Sequence, residues 1–328
     1  MTTRILTVSP HSPDPKAITA AVEVLKSGGL VSFPTETVYG LGADAFNTDA
    51  VRKIFEAKER PTDNPLIIHV ADLRDVELFA KEIPLKARKL ADRCWPGPLT
   101  LVLYGKNTVP DTVRAGLETV AARVPNHSVA LAMLKEFGGG VVAPSANLSG
   151  RPSPTSAYHV LADLRGKVDM VLDAGPTEIG IESTVLDMTV DPPAILRQGG
   201  LTKDQIENVI GIIRVTAPKE LLKRSPGTRH RHYAPRAKLI LISSIQEIKT
   251  VKGGSGKIGL IYHSLDSSDL KHEYCRRLSR DTREFARSLF GAIRELDALG
   301  VDVILVERVE ERGIGVAVME RLAKASQE

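Results

Sequence analysis

The sequence predicts an α/β protein with two domains, because of its length and because the order of its elements changes along the chain. At 328 residues it is longer than most single domains. Residues 1–215 combine helices with strand candidates that do not alternate strictly, which favours a mixed sheet over a plain doubly wound one. Residues 237–328 alternate strand and helix regularly, which predicts a small, mainly parallel, Rossmann-like α/β domain.

The elements of the first domain follow from apolar periodicity and from residues that begin and end helices. Asp14 and Pro15 are expected to begin a helix, as its cap and first-turn proline, and Gly28 to end it. A strand is expected at 29–33, and Thr48 is expected to cap a second helix. The other expected strands are 65–70, 99–105, 119–125, 139–146, 168–175, 183–190 and 194–200. The other expected helices are 72–80, 84–93, 128–137, 156–165 and 202–210.

A basic segment, residues 216–236, is predicted to link the domains. Prolines, a glycine and dense charge interrupt the pattern of elements there. After this linker, strands are expected at 238–243, 257–262 and 301–306, and helices at 281–298 and 315–325.

The net charge of +4 comes mainly from that linker. Residues 1–215 carry 23 Lys and Arg against 25 Asp and Glu, the linker 6 against 1, and the last domain 15 against 14. A nucleic-acid-binding domain more often spreads its basic residues over one face. The distribution therefore weighs against a general nucleic-acid-binding protein.

The cysteines and the apolar segments indicate a cytoplasmic protein without a membrane span. Cys94 and Cys275 lie far apart and form no CxxC pattern, which fits a reducing compartment, although a single bridge between them stays open. No run of about 18 apolar residues occurs. The first 15 residues lack the apolar core and cleavage site of a secretory signal.

Two short patterns resemble ligand sites without the context that such sites need. Gly254–Gly259 matches GxGxxG but precedes a strand, whereas a dinucleotide fingerprint follows a strand and begins a helix, so we expect a loop. His230 and His232 lack the further ligands that a metal site requires. They belong either to a solvated linker or to a linker lying on an anionic ligand, and the residues alone leave both interpretations open.

Polar groups recur at the ends of the predicted strands of the first domain. They lie in FPTETVYGLG (33–42), APSANLSG (143–150) and IGIESTV (179–185), where turns and caps are the ordinary explanation. Lys58 and Arg60 flank one residue, and in an extended segment both would project to the same side, as two phosphate oxygens require; a solvated helix end is the alternative. No Ser-His-Asp order or carboxylate pair stands out. Together these features predict a site that binds and aligns a polyanion.

Six motifs of the first domain resemble, in their order, the YrdC-like domain of threonylcarbamoyl-AMP synthases. They are FPTETVYGLG, Lys58-x-Arg60-Pro61, NPLIIHV, PSANLSG, ESTV and ILRQG. The linker SPGTRHRHYAP and the domain after it resemble the two-domain form of that family. One departure is Glu59, where glycine is frequent in the family. The resemblance implies a twisted mixed-sheet domain with a wide cationic groove. It also implies a nucleotidyltransferase, an L-threonylcarbamoyladenylate synthase, that converts L-threonine, bicarbonate or CO2, and ATP into threonylcarbamoyl-AMP and pyrophosphate.

The resemblance also implies roles for individual residues. Lys58 and Arg60 would be catalytic. The residues expected around L-threonine are Thr37, His69, Arg123, Ala143 and Ser183. Those expected around ATP are Lys58, Arg60, Asn64, Thr119, Ser145, Asn147, Arg197, His232 and Tyr233. Mg²⁺ is expected to be held mainly by the ATP phosphates and to need few direct protein ligands.

The implied partner is a separate transferase complex, bound transiently, that modifies the adenosine next to the anticodon of tRNA. Direct contact with tRNA stays open. Two other functions are less consistent with the sequence. An RNA-binding protein is disfavoured by the charge distribution, and a carbamoyltransferase module of the hydrogenase-maturation kind is disfavoured by the isolated cysteines.

Overall fold

The computed structural model describes residues 2–215, 218–226, 232–244, 246–248, 256–265 and 274–326. These residues form a mixed sheet of ten strands and a second, parallel sheet of four, which confirms the predicted α/β class with two sheets. Cys94 and Cys275 form no disulfide bond with each other. The boundaries at 215 and 237 stay a prediction.

The larger sheet mixes parallel and antiparallel pairs, as the lack of strict alternation predicted. Its order is β1-β8-β2-β3-β7-β4-β6-β5-β9-β10. The strands are β1 Arg4–Thr7, β2 Val31–Phe33, β3 Gly40–Asp44, β4 Ile67–His69, β5 Leu99–Tyr104, β6 Thr119–Arg123, β7 Val141–Val142, β8 Met170–Asp173, β9 Thr184–Asp187 and β10 Ala194–Arg197. The pairs β1–β8, β2–β8, β4–β6 and β5–β9 are parallel.

Helices cover both faces of this sheet. Apolar side chains of α1 and α5, such as Leu25 and Met133, pack on one face. Side chains of α2 and α3, such as Ile54 and Leu90, form the larger core on the other. The helices are α1 Pro15–Lys26, α2 Thr48–Lys58, a 3₁₀ helix Leu73–Leu78, α3 Leu85–Cys94, α4 Asp111–Arg114, α5 Ser128–Phe137, α6 Ala157–Leu164, α7 Lys203–Ile210 and α8 Lys219–Leu222.

Some local expectations need correction. The cap of α2 is Asn47 and not Thr48, because the Asn47 side chain accepts hydrogen bonds from the backbone N–H groups of Asp49 and Ala50, both at 3.1 Å. Strands β1 and β3, helices α4 and α8, and a strand of the second sheet at Cys275–Arg277 were not expected from the sequence. Gly40 and Gly42 of FPTETVYGLG lie in β3, opposite Phe33 and Val31 of β2, and not in a turn.

The second sheet is parallel throughout and has the order β11-β14-β12-β13. Gly256 precedes β12, and the earlier part of the GxGxxG pattern lies outside the described residues, as does His230. The strands are β11 Lys238–Ile242, β12 Ile258–Tyr262, β13 Cys275–Arg277 and β14 Val303–Glu307, and the helices are α9 Thr282–Ala298 and α10 Gly315–Ala325.

The two domains meet at two buried carboxylates and the arginines that pair with them. This interdomain ion cluster consists of Asp163, Asp297, Arg151, Arg236 and Arg294, of which Arg236 is largely exposed. Asp163 of α6 pairs with Arg151 at 2.6 Å and with Arg294 of α9 at 2.7 Å. Asp297 of α9 pairs with Arg236 of the linker at 3.2 Å and with Arg151 at 3.4 Å. Each carboxylate thus binds an arginine from the opposite domain or from the linker, which fixes the domain arrangement by charge.

The backbone at Glu59 explains why glycine suits this position. Glu59 ends α2 with φ of 53° and ψ of 44°, in the left-handed region, where a side chain costs about 1–2 kcal/mol. Its side chain pairs with Lys167 at 2.7 Å, and both are largely exposed, so this pair contributes at most about 1 kcal/mol.

We therefore expect Glu59→Gly to be more stable than Glu59→Ala by about 1 kcal/mol, because both variants lose the ion pair and only alanine keeps a Cβ in the left-handed region. Thermal unfolding of the two variants measures the difference. An alanine variant at least as stable as the glycine variant would contradict it.

Candidate active site

A cleft with about 630 Å³ of empty space, part of it open to solvent, lies at strand ends of the larger sheet. The predicted residues that line it are Thr37, Arg60, His69, Arg123, Ala143, Ser145, Asn147, Ser183, Arg197, His232 and Tyr233. Sheet register explains part of this convergence. His69 and Arg123 are direct partners in the parallel pair β4–β6, so their side chains end two neighbouring strands together.

Lys58, Asn64 and Thr119 are buried but do not line the cleft, and Thr119 begins β6 whereas the cleft residue Arg123 ends it. Lys58 is the last residue of α2 and Glu59 is left-handed, so the expected extended segment at 58–60 is wrong. The Lys58 ammonium instead donates to the carbonyls of Ser145 and Asn147, at 2.5 and 2.6 Å. Lys58 thereby holds the 145–147 loop from beneath.

This buried position changes the pKa of Lys58. Burial, and after it the charge of Arg60, lowers the pKa of Lys58 well below its usual value. The two cations therefore lie close together even though the backbone between them is not extended.

The Arg60 guanidinium has a hydrogen-bond donor that the described residues do not use. One terminal nitrogen, Nη2, donates to the carbonyls of Asn64 and Pro65, at 3.4 and 3.2 Å. Its Nε–H has no hydrogen-bond partner among the described residues, and burial lowers its pKa to about 10, so it stays charged at neutral pH. A buried guanidinium with an unused donor is suited to bind an anion.

Three further buried polar atoms of predicted site residues also lack partners within the described part of the chain. They are the side-chain oxygens Oδ1 of Asn64 and Asn147 and the ring nitrogen Nε2 of His232. Such groups are costly unless a ligand or water satisfies them, so their concentration here indicates a binding site.

Arg123 is held by a carboxylate that sequence analysis missed. Glu36 Oε2 lies 2.8 Å from Arg123 Nη2, and both side chains are buried. The same Nη2 donates to the Thr37 hydroxyl at 2.9 Å, which in turn lies 2.8 Å from the Thr35 hydroxyl. The only sequence signal for Glu36 is its place between the two threonines of FPTETVYGLG.

His69 is a neutral group in this site. Burial, assisted by the charge of Arg123, lowers the pKa of His69 to about 3. Its Nδ1 lies 3.3 Å from the Ile67 carbonyl, and its ring meets Phe33 edge to face at 6.3 Å. The imidazole therefore adds a polar group without adding charge.

Ser183 and Arg197 connect the sheet to the linker. The Arg197 guanidinium donates to the carbonyl and hydroxyl of Ser183 at 3.0 and 3.1 Å, and to the Pro226 carbonyl at 3.3 Å. The Ser183 hydroxyl also lies 2.8 Å from the Thr100 hydroxyl. Arg197 thus places the first part of the linker against the cleft.

The described end of the linker lies in the cleft wall. His232 and Tyr233 have ring centres 5.7 Å apart, and burial lowers the pKa of His232 to about 3. Tyr233 stacks on Phe290 of α9 at 5.6 Å. Glu182, which sequence analysis assigned only to a turn or cap, also lines the cleft and accepts from Ser153 and from Arg321 of α10.

Neither a metal site nor a membrane span is found in the described residues. No group of three or more His, Cys, Asp or Glu among them could hold a metal ion. None of their helices combines the length and apolarity needed to cross a bilayer.

Comparison with known proteins identifies the family. Residues 23–199 match the Sua5, YciO and YrdC family model, described as telomere recombination. Residues 201–327 match the model described as threonylcarbamoyl-AMP synthase, C-terminal domain. The chain is 48% identical to the threonylcarbamoyl-AMP synthase of Pyrococcus abyssi, over 94% of each chain. The chain belongs to the threonylcarbamoyl-AMP synthase family.

Further relatives of this synthase agree over nearly the whole length. The Bacillus subtilis threonylcarbamoyl-AMP synthase is 45% identical, covering 95% of this chain and 93% of its own. The crystal structure of Pyrococcus abyssi Sua5 complexed with L-threonine superposes with a TM-score of 0.93 at 45% identity, covering 99% of this chain and 98% of that one. The predicted enzyme class, nucleotidyltransferase, is confirmed, while the roles of single residues stay predictions.

The pKa of His69 leads to a pH prediction for this synthase. The folded chain keeps His69 neutral down to about pH 3, whereas the usual value is 6.5, so the unfolded chain takes up the proton first as pH falls. The stability that comes from the neutral imidazole is full above pH 6.5 and is lost towards pH 3. We expect the melting temperature of His69→Gln to decline less between pH 6.5 and 4 than that of the unaltered chain.

The exposed His11 offers a matched control, since His11→Gln should keep the decline of the unaltered chain. An equally steep decline in His69→Gln would refute the assignment of a buried, neutral imidazole.

Proposed function

We propose that the cleft forms L-threonylcarbamoyladenylate from L-threonine, CO2 and ATP and releases pyrophosphate; where bicarbonate supplies the CO2, its dehydration also releases one water. The observation that carries the proposal is one cleft in which arginines 60, 123 and 197 lie beside uncharged hydroxyl and imidazole groups. This composition suits two anions that must meet, a carbamate and a polyphosphate.

L-Threonine would bind on the Arg123 side, with its carboxylate on that guanidinium and Thr37, His69, Ala143 and Ser183 around it. After losing a proton, its amine attacks CO2 and forms the N–C bond of a carbamate. Carbamates lose CO2 readily in water, so a buried pocket with neutral donors protects the intermediate. The low pKa of His69, about 3, makes it a poor base, and its proposed role is to contact threonine without charge.

ATP would bind along Arg60 and Arg197. A carbamate oxygen attacks the α-phosphorus, and the bond to the pyrophosphate oxygen breaks. Arg60 has an unused Nε–H to place on the phosphates, and Lys58 supports the loop of Ser145 and Asn147 beside them. Asn64 and Thr119 would complete the nucleotide side, with His232 and Tyr233 over the nucleotide. Positioning of this kind can lower a barrier by about 7–11 kcal/mol, so no dedicated base is needed.

Mg²⁺ would be held by the phosphate oxygens and would neutralise part of their charge. The carboxylate among the described residues that line the cleft is Glu182, and Arg321 already engages it. This arrangement fits an ion that arrives with ATP and needs few protein ligands.

The product would pass to a transferase that modifies tRNA next to the anticodon, and we propose a cytoplasmic location. Neither the transferase nor a tRNA contact is needed for adenylate formation.

The proposed reaction is tested by omitting each substrate in turn. We expect pyrophosphate release from ATP only when threonine and bicarbonate are both present. Full release without threonine would overturn the proposal, because the nucleophile would then not be a threonine carbamate.

The proposed roles of Arg60 and Lys58 are tested by substitution. Arg60→Lys keeps a charge but loses the Nε–H and the planar fork, so we expect pyrophosphate release to fall by about 10²–10³-fold. Lys58→Ala should also abolish release, because the 145–147 loop loses its support. Arg52→Ala, on an exposed face of α2, is the matched control and should keep full activity. Near-normal turnover in a folded Arg60 or Lys58 variant would remove that residue from the mechanism.

A further inference from the structure

Arg321 of the second domain reaches the wall of the cleft in the first. It lies on α10 and is only 1% exposed. Among the fully buried side chains of the described residues it is the largest. Its Nε donates to Glu182 Oε2 at 3.0 Å, and Glu182 lines the cleft. The other oxygen of Glu182 accepts from the Ser153 hydroxyl, so the carboxylate is held from both domains.

The same guanidinium also supports Tyr233. Its central carbon lies 5.6 Å from the centre of the Tyr233 ring, within cation–π distance. Tyr233 has a φ of 65°, a left-handed conformation that is unusual for a bulky side chain and persists only where the surroundings hold it. Arg321 and Phe290 supply that hold, and both belong to the second domain.

Arg321 also neutralises the one carboxylate among the described residues that line the cleft, that of Glu182. A buried Glu182 carboxylate without a cation would repel a polyphosphate. Burial opposes its ionisation, but the charges of Arg321 and Arg197 outweigh burial and keep the pKa of Glu182 below its usual value. The carboxylate is therefore ionised and paired, and its partner comes from the second domain.

Arg123, the proposed partner of the threonine carboxylate, takes its support from the first domain alone. Arg123 is held by Glu36, Thr37 and the Gly97 carbonyl. The two sides should therefore respond differently to a change at position 321.

We propose that Arg321 is a positioning residue for the nucleotide, which holds Tyr233 and Glu182 in place from the second domain. The inference rests on the proposed function, since it assigns the Tyr233 side of the cleft to ATP. It gives the second domain a direct part in substrate binding, beyond carrying one end of the linker.

The test compares binding of a non-hydrolysable ATP analogue and of L-threonine, each measured by calorimetry on the full chain. We expect Arg321→Met to weaken analogue binding at least tenfold and to change threonine binding less than twofold. Arg321→Lys, which keeps a cation for Glu182 and the ring, should recover part of the loss. Arg312→Met is the matched control from the same domain, because Arg312 is 83% exposed, and it should bind both ligands normally.

A double variant separates positioning from mere stability. Arg321→Met leaves a buried carboxylate unpaired, so it should also melt at a lower temperature. Adding Glu182→Gln removes that charge and should restore the melting temperature but not the analogue affinity, because Tyr233 still lacks its cation. Glu182→Gln alone gives the reference for the loss of the carboxylate. If Arg321→Met does not fold, the double variant decides.

Three results would overturn the inference: unchanged analogue affinity in Arg321→Met, equal losses for both ligands, or full recovery of analogue affinity in the double variant. The substrate-omission assay on the unaltered chain tests the proposed function separately from the role of Arg321. If that chain fails to need all three substrates, the proposed reaction falls; if it passes while Arg321→Met binds normally, only the role of Arg321 falls.

Discussion

The structure depends on how it buries cationic side chains around one cleft without cancelling their charge. Lys58, Arg60 and Arg197 are each almost fully buried, and each donates to backbone carbonyls. Carbonyl oxygens orient a cation and replace some of the hydrogen bonds that it made to water, but they carry no net charge. The positive charges of Arg60 and Arg197, which line the cleft, are therefore left to act on a ligand, and they act strongly because the surroundings are poorly polarisable.

Arg123 is the contrasting case, because a carboxylate, Glu36, lies 2.8 Å from it. Its pairing leaves less net charge on that side of the cleft, which suits a small amino acid better than a polyphosphate. The neutral His69 and the threonine hydroxyls continue this pattern. Under the proposed assignment, threonine therefore meets the less charged part of the cleft and the polyphosphate of ATP meets the more cationic part.

Much of the fold can be predicted from the sequence, because buried strands and amphipathic helices differ in the spacing of their apolar residues. The misses have local causes. In β3, glycine is needed for close packing and not for bending, since a Cβ on Gly42 would lie 2.9 Å from the Phe33 ring. The site motifs could be located, but the pairs Glu36–Arg123 and Glu182–Arg321 could not. Their members are distant in sequence, so only the folded sheet and the docked second domain bring them together.

The same principle of charge governs the contact between domains. Separating them would leave the buried carboxylates of Asp163, Asp297 and Glu182 without arginines from the other domain or the linker. In the docked arrangement, removing the arginine of one buried pair would leave its carboxylate uncompensated and would cost about 3–5 kcal/mol. Arg151 also lines the cleft while pairing with Asp163 and Asp297. The interface and the cleft therefore share charged groups, and the docked domain arrangement is a condition for the cleft having the charge and shape that it has.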